Sequence, residues 1–143
     1  MARFIKLHAN VSVCGQLYPK DIATVADAGF TTLVCNRPDN EVEDQPSAAQ
    51  IEGLAKAAGL TFVNIPVGGM NMETGYVDRM AQVIEQAHGP VLAYCRSGLR
   101  CALLWALASV RKGADADAII RQVEGAGFPT RIIRSSVGGY MPG

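Results

Sequence analysis

The sequence predicts an α/β domain in which a small parallel sheet is flanked by helices. Short β-branched runs alternate along the chain with segments of helical periodicity, and this alternation is typical of parallel strands joined by helical crossovers. The chain has 143 residues, of which 49% are hydrophobic and 18% charged. This length and balance suit one globular core. We therefore expect residues 1–143 to form a single domain.

Five short segments predict the strands of this sheet. Each is rich in β-branched or aromatic residues, and turn-forming residues lie between most of them. They are FIKL (4–7), VSVC (11–14), TTLVC (31–35), TFVNI (61–65) and PVLAY (90–94).

Helical periodicity fills most of the intervals between and after these strands. Apolar residues recur at three- and four-residue spacing, and the first three segments each end at a glycine in a C-cap position. Ser47 is placed to cap the second helix, and Asp115 or Asp117 lies near the start of the last. The segments are 19–29, 47–59, 73–89, 99–113 and 114–127. The tail, 128–143, is poorly patterned.

Composition and charge exclude several classes of function. Thirteen basic residues balance thirteen acidic ones, so we expect no binding to nucleic acid or to anionic membranes. No apolar run approaches the roughly 20 residues that cross a bilayer, and the N-terminus does not resemble a signal peptide. Four cysteines without metal-ligand spacing favour free thiols in the cytoplasm and no metal site. No cofactor is implied.

Three loops with reactive or charged residues follow predicted strands. They are CNRPDNE (35–41), PVGGMNM (66–72) and CRSGLRC (95–101). In parallel α/β sheets the ligand site lies at the carboxyl ends of the strands. The sequence therefore predicts that these three loops converge on one site.

The third loop predicts a nucleophilic cysteine that faces an anion cradle. Cys95 ends a strand and a helix follows, so unpaired N–H groups and the helix dipole favour both an anion and a thiolate. Gly98 permits a positive φ in the turn. Arg100 supplies a planar, two-pronged donor. The alternative is a buried structural Cys95 beside two solvated arginines, but the strand–loop–helix context and the Ser97 hydroxyl favour the reactive interpretation.

These residues also carry a resemblance to a known family. The stretches GQLYPKDIATVADAGFTTLVCNRPDNE, GLTFVNIPV and GPVLAYCRSGLRCALLWALA resemble the phosphatase-like domain of beta-lactamase-hydrolase-like proteins, a bacterial branch of the cysteine-phosphatase superfamily. The resemblance implies a fold similar to tyrosine and dual-specificity phosphatases. It implies that Cys95 attacks a small-molecule or protein phosphate to form a phosphocysteine. It further implies that the anion is bound by the loop residues Arg96, Ser97, Gly98, Leu99 and Arg100.

The loop departs from the tyrosine-phosphatase pattern in its length. Four residues, rather than five, separate Cys95 from Arg100, and a loop of this length also resembles that of rhodaneses. That likeness supports a sulfurtransferase that takes sulfur from a thiol or persulfide donor and carries it as a Cys95 persulfide. A further alternative is a non-catalytic anion-binding or redox-sensing module. In that case Cys101 is a candidate redox partner of Cys95, although it is equally placed to pack in the core.

A general acid is not evident in the loop after the fourth strand, where related phosphatases usually carry an aspartate. The candidates are Asp39, Glu41 and Glu73, although Asp39 also suits a turn after Pro38. Arg37 is placed either to bind substrate or to pair with a nearby carboxylate, and the sequence favours neither role.

Overall fold

The computed structural model describes residues 3–142, and its strands follow the order that the sequence predicts. Each strand boundary lies within one residue of the predicted one. The strands are β1 (Ile5–His8), β2 (Val11–Cys14), β3 (Thr32–Cys35), β4 (Thr61–Asn64) and β5 (Val91–Tyr94).

Six α-helices and two short 3-10 turns complete the described chain. The helices are α1 (Ile22–Asp27), α2 (Ala48–Ala57), α3 (Thr74–Gln86), α4 (Leu99–Arg111), α5 (Ala116–Gly125) and α6 (Arg131–Ser136). The 3-10 turns cover Pro19–Asp21 and Val137–Tyr140. No helix in residues 3–142 is long and apolar enough to cross a membrane.

The five strands form one sheet in the order β1-β2-β5-β3-β4. Strands β2, β5, β3 and β4 are parallel, which confirms the predicted parallel sheet for its main part. Strand β1 is antiparallel to β2, because the two-residue link between them is too short for a crossover. Strand β5 lies at the centre of the sheet between β2 and β3, so its carboxyl end lies in the middle of the carboxyl edge.

The two faces of the sheet bury separate hydrophobic clusters, since side chains alternate along each strand. One cluster joins Val13, Val34 and Ala93 to the apolar faces of α3, α4 and α5. The other joins Leu33 and Leu92 to residues of α1 and α2. Helix α4, which follows β5 along the chain, is buried along nearly its whole length.

Two predicted helix starts are confirmed. The Ser47 hydroxyl accepts a hydrogen bond from Gln50 N–H at 3.1 Å. Asp115, rather than Asp117, caps α5, since its carboxylate accepts from Ala118 N–H at 3.0 Å. These bonds satisfy backbone donors that have no partner within the helix.

Two helix boundaries, one start and one end, differ from the prediction. The first helical segment begins as a 3-10 turn at Pro19 before α1. Helix α3 ends at Gln86, because Ala87 is extended with ψ 139°. Gly89 therefore does not cap this helix. A Cβ at Gly89 would lie 2.8 Å from the Thr31 side chain, so this glycine is needed for close packing beside β3.

The poorly patterned tail contains regular structure. Helix α6 and the 3-10 turn after it lie there, and Ile133 is buried in the cluster around α4. The Tyr140 hydroxyl donates to the Met72 carbonyl, which ties the tail to the loop after β4. The single domain over 1–143 stays a prediction, and residues 1, 2 and 143 lie outside the described residues.

Candidate active site

Cys95 directly follows β5 at the carboxyl edge of the sheet, where the end of β2 supports its backbone. Cys95 N–H donates to the Cys14 carbonyl at 3.3 Å, and Gln16 N–H donates to the Arg96 carbonyl at 3.3 Å. A Cβ at Gly15 would lie 3.0 Å from the Arg96 oxygen. The close approach of these two backbones therefore holds the first residues of the loop in place.

The loop turns into α4 at Gly98, which has a φ of +94° and confirms the predicted positive value. A Cβ at this position would lie 3.3 Å from the ring of Phe128, so both conformation and space favour glycine. The Ser97 hydroxyl accepts from Leu99 N–H at 3.3 Å. Arg96 and Ser97 are exposed, whereas Gly98 is buried.

The environment of the Cys95 sulfur favours its ionised form, the thiolate. The side chain is only 1% exposed, and Gly98 N–H donates to the sulfur at 3.1 Å. A hydrogen bond from the Cys101 thiol, followed by backbone N–H groups of Cys101, Ser97 and Gly98, lowers the pKa of Cys95 from 9.0 to about 5, although burial of the sulfur opposes this shift. Cys95 is therefore a thiolate at neutral pH, which is the reactive form of cysteine.

The other three cysteines have the opposite character. Cys101 lies in the same cluster as Cys95 and is wholly buried, and this burial raises the pKa of its thiol. Cys14 and Cys35 lie in the cluster on the opposite face of the sheet. Burial raises their pKa values as well, and the Cys35 thiol donates to the Arg37 carbonyl at 3.3 Å. Only one of the four thiols is therefore activated.

Arg100 links all three predicted loops. Its Nη1 donates to Glu41 Oε2 at 2.8 Å and to the Val67 carbonyl at 2.7 Å. Its Nη2 donates to Glu41 Oε1 at 2.8 Å. Because a guanidinium has five N–H donors, these bonds within residues 3–142 leave Nε–H and one Nη2–H on a single edge. That edge matches two oxygens of a tetrahedral anion.

Glu41 lies between two arginines. Besides binding Arg100, its Oε1 accepts from Arg37 Nε at 2.7 Å. Hydrogen bonding to Arg100 is the main cause that lowers the pKa of Glu41 to about 2, so this carboxylate is ionised at neutral pH and has no proton to donate. Arg37 is 3% exposed, and its Nη1 donates to Gln16 Oε1 at 3.0 Å. Of its two predicted roles, the structure shows the pairing with a nearby carboxylate.

The remaining candidate acids lie at helix starts. Asp39 Oδ1 accepts from Ala48 N–H at 2.8 Å, which joins the loop after β3 to the start of α2. Glu73 is exposed at the N-cap of α3 and makes no capping hydrogen bond. The structure thus places Glu41 in hydrogen-bond contact with Arg100, whereas the Asp39 carboxylate is hydrogen-bonded to the start of α2.

Sequence reasoning missed two groups at this site. Gln16 lies two residues after the end of β2 and orients Arg37, and its place after a parallel strand was a signal that pointed to the same edge. The Val67 carbonyl orients Arg100. Because every residue has a backbone carbonyl, the sequence does not indicate which one binds Arg100.

A cavity of about 560 Å³ lies away from this edge, at the amino ends of β2 and β5, beside His8, Asn10 and Val91. Within residues 3–142, no group of three or more histidine, cysteine, aspartate or glutamate side chains is arranged to hold a metal ion. The groups that the structure brings to the carboxyl edge are the Cys95 thiol, backbone N–H groups and the Arg100 guanidinium.

The chain matches the family described as "Beta-lactamase hydrolase-like protein, phosphatase-like domain" over residues 3–112. The chain belongs to this family. One curated relative is the beta-lactamase hydrolase-like protein of Agrobacterium fabrum, which is 29% identical over 109 residues, or 76% of this chain. The match spans about a quarter of the relative's length, 25%.

Solved structures place the phosphatase-like domain among known folds. A candidate phosphatase from Neisseria meningitidis Z2491 is 38% identical, covers 95% of this chain and 96% of its own, and has a TM-score of 0.83. A kinase associated phosphatase with its catalytic-site cysteine replaced by serine has a TM-score of 0.73 at 10% identity, over 99% of this chain and 97% of its own. The fold is that of tyrosine and dual-specificity phosphatases.

Alkylation of the phosphatase-like domain should report the ionisation of Cys95. We expect iodoacetamide to modify Cys95 at a rate that is constant near neutral pH and falls as the pH is lowered through about 5, because only the thiolate reacts. The rate is measured by peptide mass mapping of samples quenched over time. A rate that rises up to about pH 9, or faster labelling of another cysteine, would contradict the assignment.

A matched pair of variants tests the cause of this ionisation. In Cys101→Ser a hydroxyl replaces the thiol that donates to Cys95, and the inflection should stay near that of the unmodified domain. In Cys101→Ala the donor is lost, and the inflection should move to higher pH. Equal inflections in both variants would show that the backbone N–H groups alone stabilise the thiolate.

Proposed function

We propose that this chain is a cysteine-dependent phosphatase that hydrolyses a phosphate monoester through a phosphocysteine intermediate. The observation that carries the proposal is the Cys95 thiolate, with its pKa of about 5, at the base of a loop that also places Arg100. Membership of the phosphatase-like family supports the same chemistry.

The anion site is assigned to the loop and to the free edge of Arg100. The loop leads into the start of α4, where backbone N–H groups and the helix dipole favour negative charge. Arg100 Nε–H and its remaining Nη2–H are assigned to two phosphoryl oxygens. Glu41 holds the neighbouring Nη1–Nη2 edge of the guanidinium, so it is a positioning residue. Because this edge is fixed before substrate binds, little reorganisation is needed in the transition state.

The reaction has two steps. The Cys95 sulfur attacks phosphorus, a sulfur–phosphorus bond forms, and the ester oxygen leaves with the electron pair of the broken bond. The leaving oxygen takes a proton, and water then attacks the phosphocysteine to release phosphate and restore the thiolate. Glu41 is ionised and Asp39 is bound to the start of α2, so we assign this proton to water. The water that attacks the phosphocysteine releases a proton in the second step.

Sulfur transfer is the second candidate function, and the length of the loop favours it. Only four residues separate Cys95 from Arg100, and a persulfide needs less room than a phosphoryl group. In that reaction the thiolate takes the outer sulfur of thiosulfate, sulfite leaves, and a thiol or cyanide accepts the sulfur from the persulfide.

Two assays on one preparation separate these functions. We expect release of phosphate from p-nitrophenyl phosphate, with inhibition by vanadate, and no formation of thiocyanate from thiosulfate and cyanide. Thiocyanate formation without phosphate release would contradict the proposal and support the sulfurtransferase. Neither activity, together with a Cys95–Cys101 disulfide after mild peroxide treatment, would support a redox-sensing module instead.

A further inference from the structure

A small apolar pocket lies beside the start of α4, between the loop after β4 and the connection from α5 to α6. Its volume is about 230 Å³. Its lining is almost entirely apolar, and it is formed chiefly by Met70, Leu99, Leu103, Pro129 and Ile132, with Arg131 also at its wall. The family match ends at residue 112, so the wall from α6 lies outside the matched region.

The walls of this pocket belong to elements that contact the anion loop. Leu99 is the loop residue before Arg100, and Leu103 follows one turn later on the same face of α4. The loop that carries Met70 is tied to Arg100 by the Val67 carbonyl. On the other side, Phe128 packs against Gly98 and leads into the wall formed by α6. The elements that form the pocket walls thus also hold the anion loop.

The size and chemistry of the pocket restrict its occupant. Ligand pockets commonly measure about 300–1,000 Å³, so a pocket of about 230 Å³ suits one ring or a short branched chain rather than a peptide segment. No acidic side chain is among the lining residues. Apart from Arg131, the lining offers no side chain that could replace the hydration of a polar group, whereas an apolar group would gain from burial.

We propose that this pocket is a specificity subsite that binds the apolar organic group to which the substrate's phosphate is attached. The inference rests on the proposed function, since it assumes that a phosphate lies in the Cys95 loop. It assigns Met70 and Ile132 as specificity-determining residues. It also defines the substrate class as phosphate monoesters of compact apolar alcohols or phenols, rather than sugar or nucleoside phosphates.

The test uses phosphonates, which bind without turnover and so remove any effect of the leaving group. We expect benzylphosphonate to bind the full chain roughly tenfold or more tightly than methylphosphonate, as measured by calorimetry, because the ring fills an apolar pocket. In Ile132→Asn this ratio should fall towards one. Leu54→Asn is the matched control, since Leu54 is 38% exposed and Ile132 37%, and Leu54 does not line the pocket.

Each outcome has a separate meaning. Equal affinities for the two phosphonates in the unmodified chain, or a ratio that Ile132→Asn leaves unchanged, would overturn the subsite while the anion site stands. A ratio that falls equally in Leu54→Asn would also overturn it, because the effect would not depend on the pocket. Failure to bind methylphosphonate and inorganic phosphate would refute the anion site, and with it both the proposed function and the subsite.

Discussion

Replacing Cys95 by serine is expected to reduce phosphate monoester hydrolysis by at least about 10⁴-fold, because the reaction loses its nucleophile. The hydrogen bonds that hold the pKa of Cys95 at about 5 cannot ionise a serine hydroxyl at neutral pH. The loss is measured as kcat for p-nitrophenyl phosphate. Binding of inorganic phosphate should persist, since the backbone N–H groups and Arg100 are unchanged.

The control for this variant is Cys35→Ala. Cys35 is also a buried cysteine at the carboxyl end of a central strand, but it lies on the opposite face of the sheet from Cys95. Its loss should leave kcat nearly unchanged. Activity that survives in Cys95→Ser, with the fold intact by circular dichroism, would contradict the assignment of Cys95 as nucleophile.

Replacing Arg100 by lysine is expected to lower kcat by about 10²–10³-fold, the range found when one donor to a developing oxyanion is removed. Lysine keeps the positive charge, but a single ammonium cannot bind both oxygens of Glu41, the Val67 carbonyl and the substrate at once. The loss of the planar fork, rather than of charge, is therefore what this variant measures.

A surface arginine provides the matched control for Arg100→Lys. Arg111 also binds a carboxylate, that of Asp78 at 3.0 Å, but this pair is well exposed, and Arg111→Lys should leave kcat unchanged. Glu41→Gln should reduce kcat by less than Arg100→Lys, because the amide keeps one acceptor for the guanidinium. Equal kcat in Arg100→Lys and the unmodified chain would show that Arg100 does not bind the transferred group.

Much of the fold was predictable because it depends on local sequence patterns. The β-branched runs, the cap at Ser47 and the glycine at 98 each act within a few residues, and the structure confirms them. The alternation of strands and helices also predicted which loops share an edge. The antiparallel β1 was missed, although the two-residue link before β2 already excluded a crossover.

The parts that could not be predicted depend on distant contacts. Helix α6 has six residues, and Ile133 is its only fully buried side chain, so no amphipathic pattern marks it in the tail. Glu41 and Arg100 are 59 residues apart in sequence, and only the folded chain shows that one orients the other. Likewise, the contrast between the thiols of Cys95 and Cys101 arises from hydrogen bonding and burial, which sequence spacing does not report.

The most direct test of the central claim is the intact mass of the protein after rapid acid quenching during turnover. The account predicts a phosphoryl-sized adduct with p-nitrophenyl phosphate, mapped to Cys95 and absent from Cys95→Ser, because the phosphocysteine is the intermediate between attack and hydrolysis. Thiosulfate should leave the mass unchanged. A sulfur-sized adduct on Cys95 with thiosulfate, and no phosphoryl adduct under any condition, would contradict the account and assign the loop to sulfur transfer.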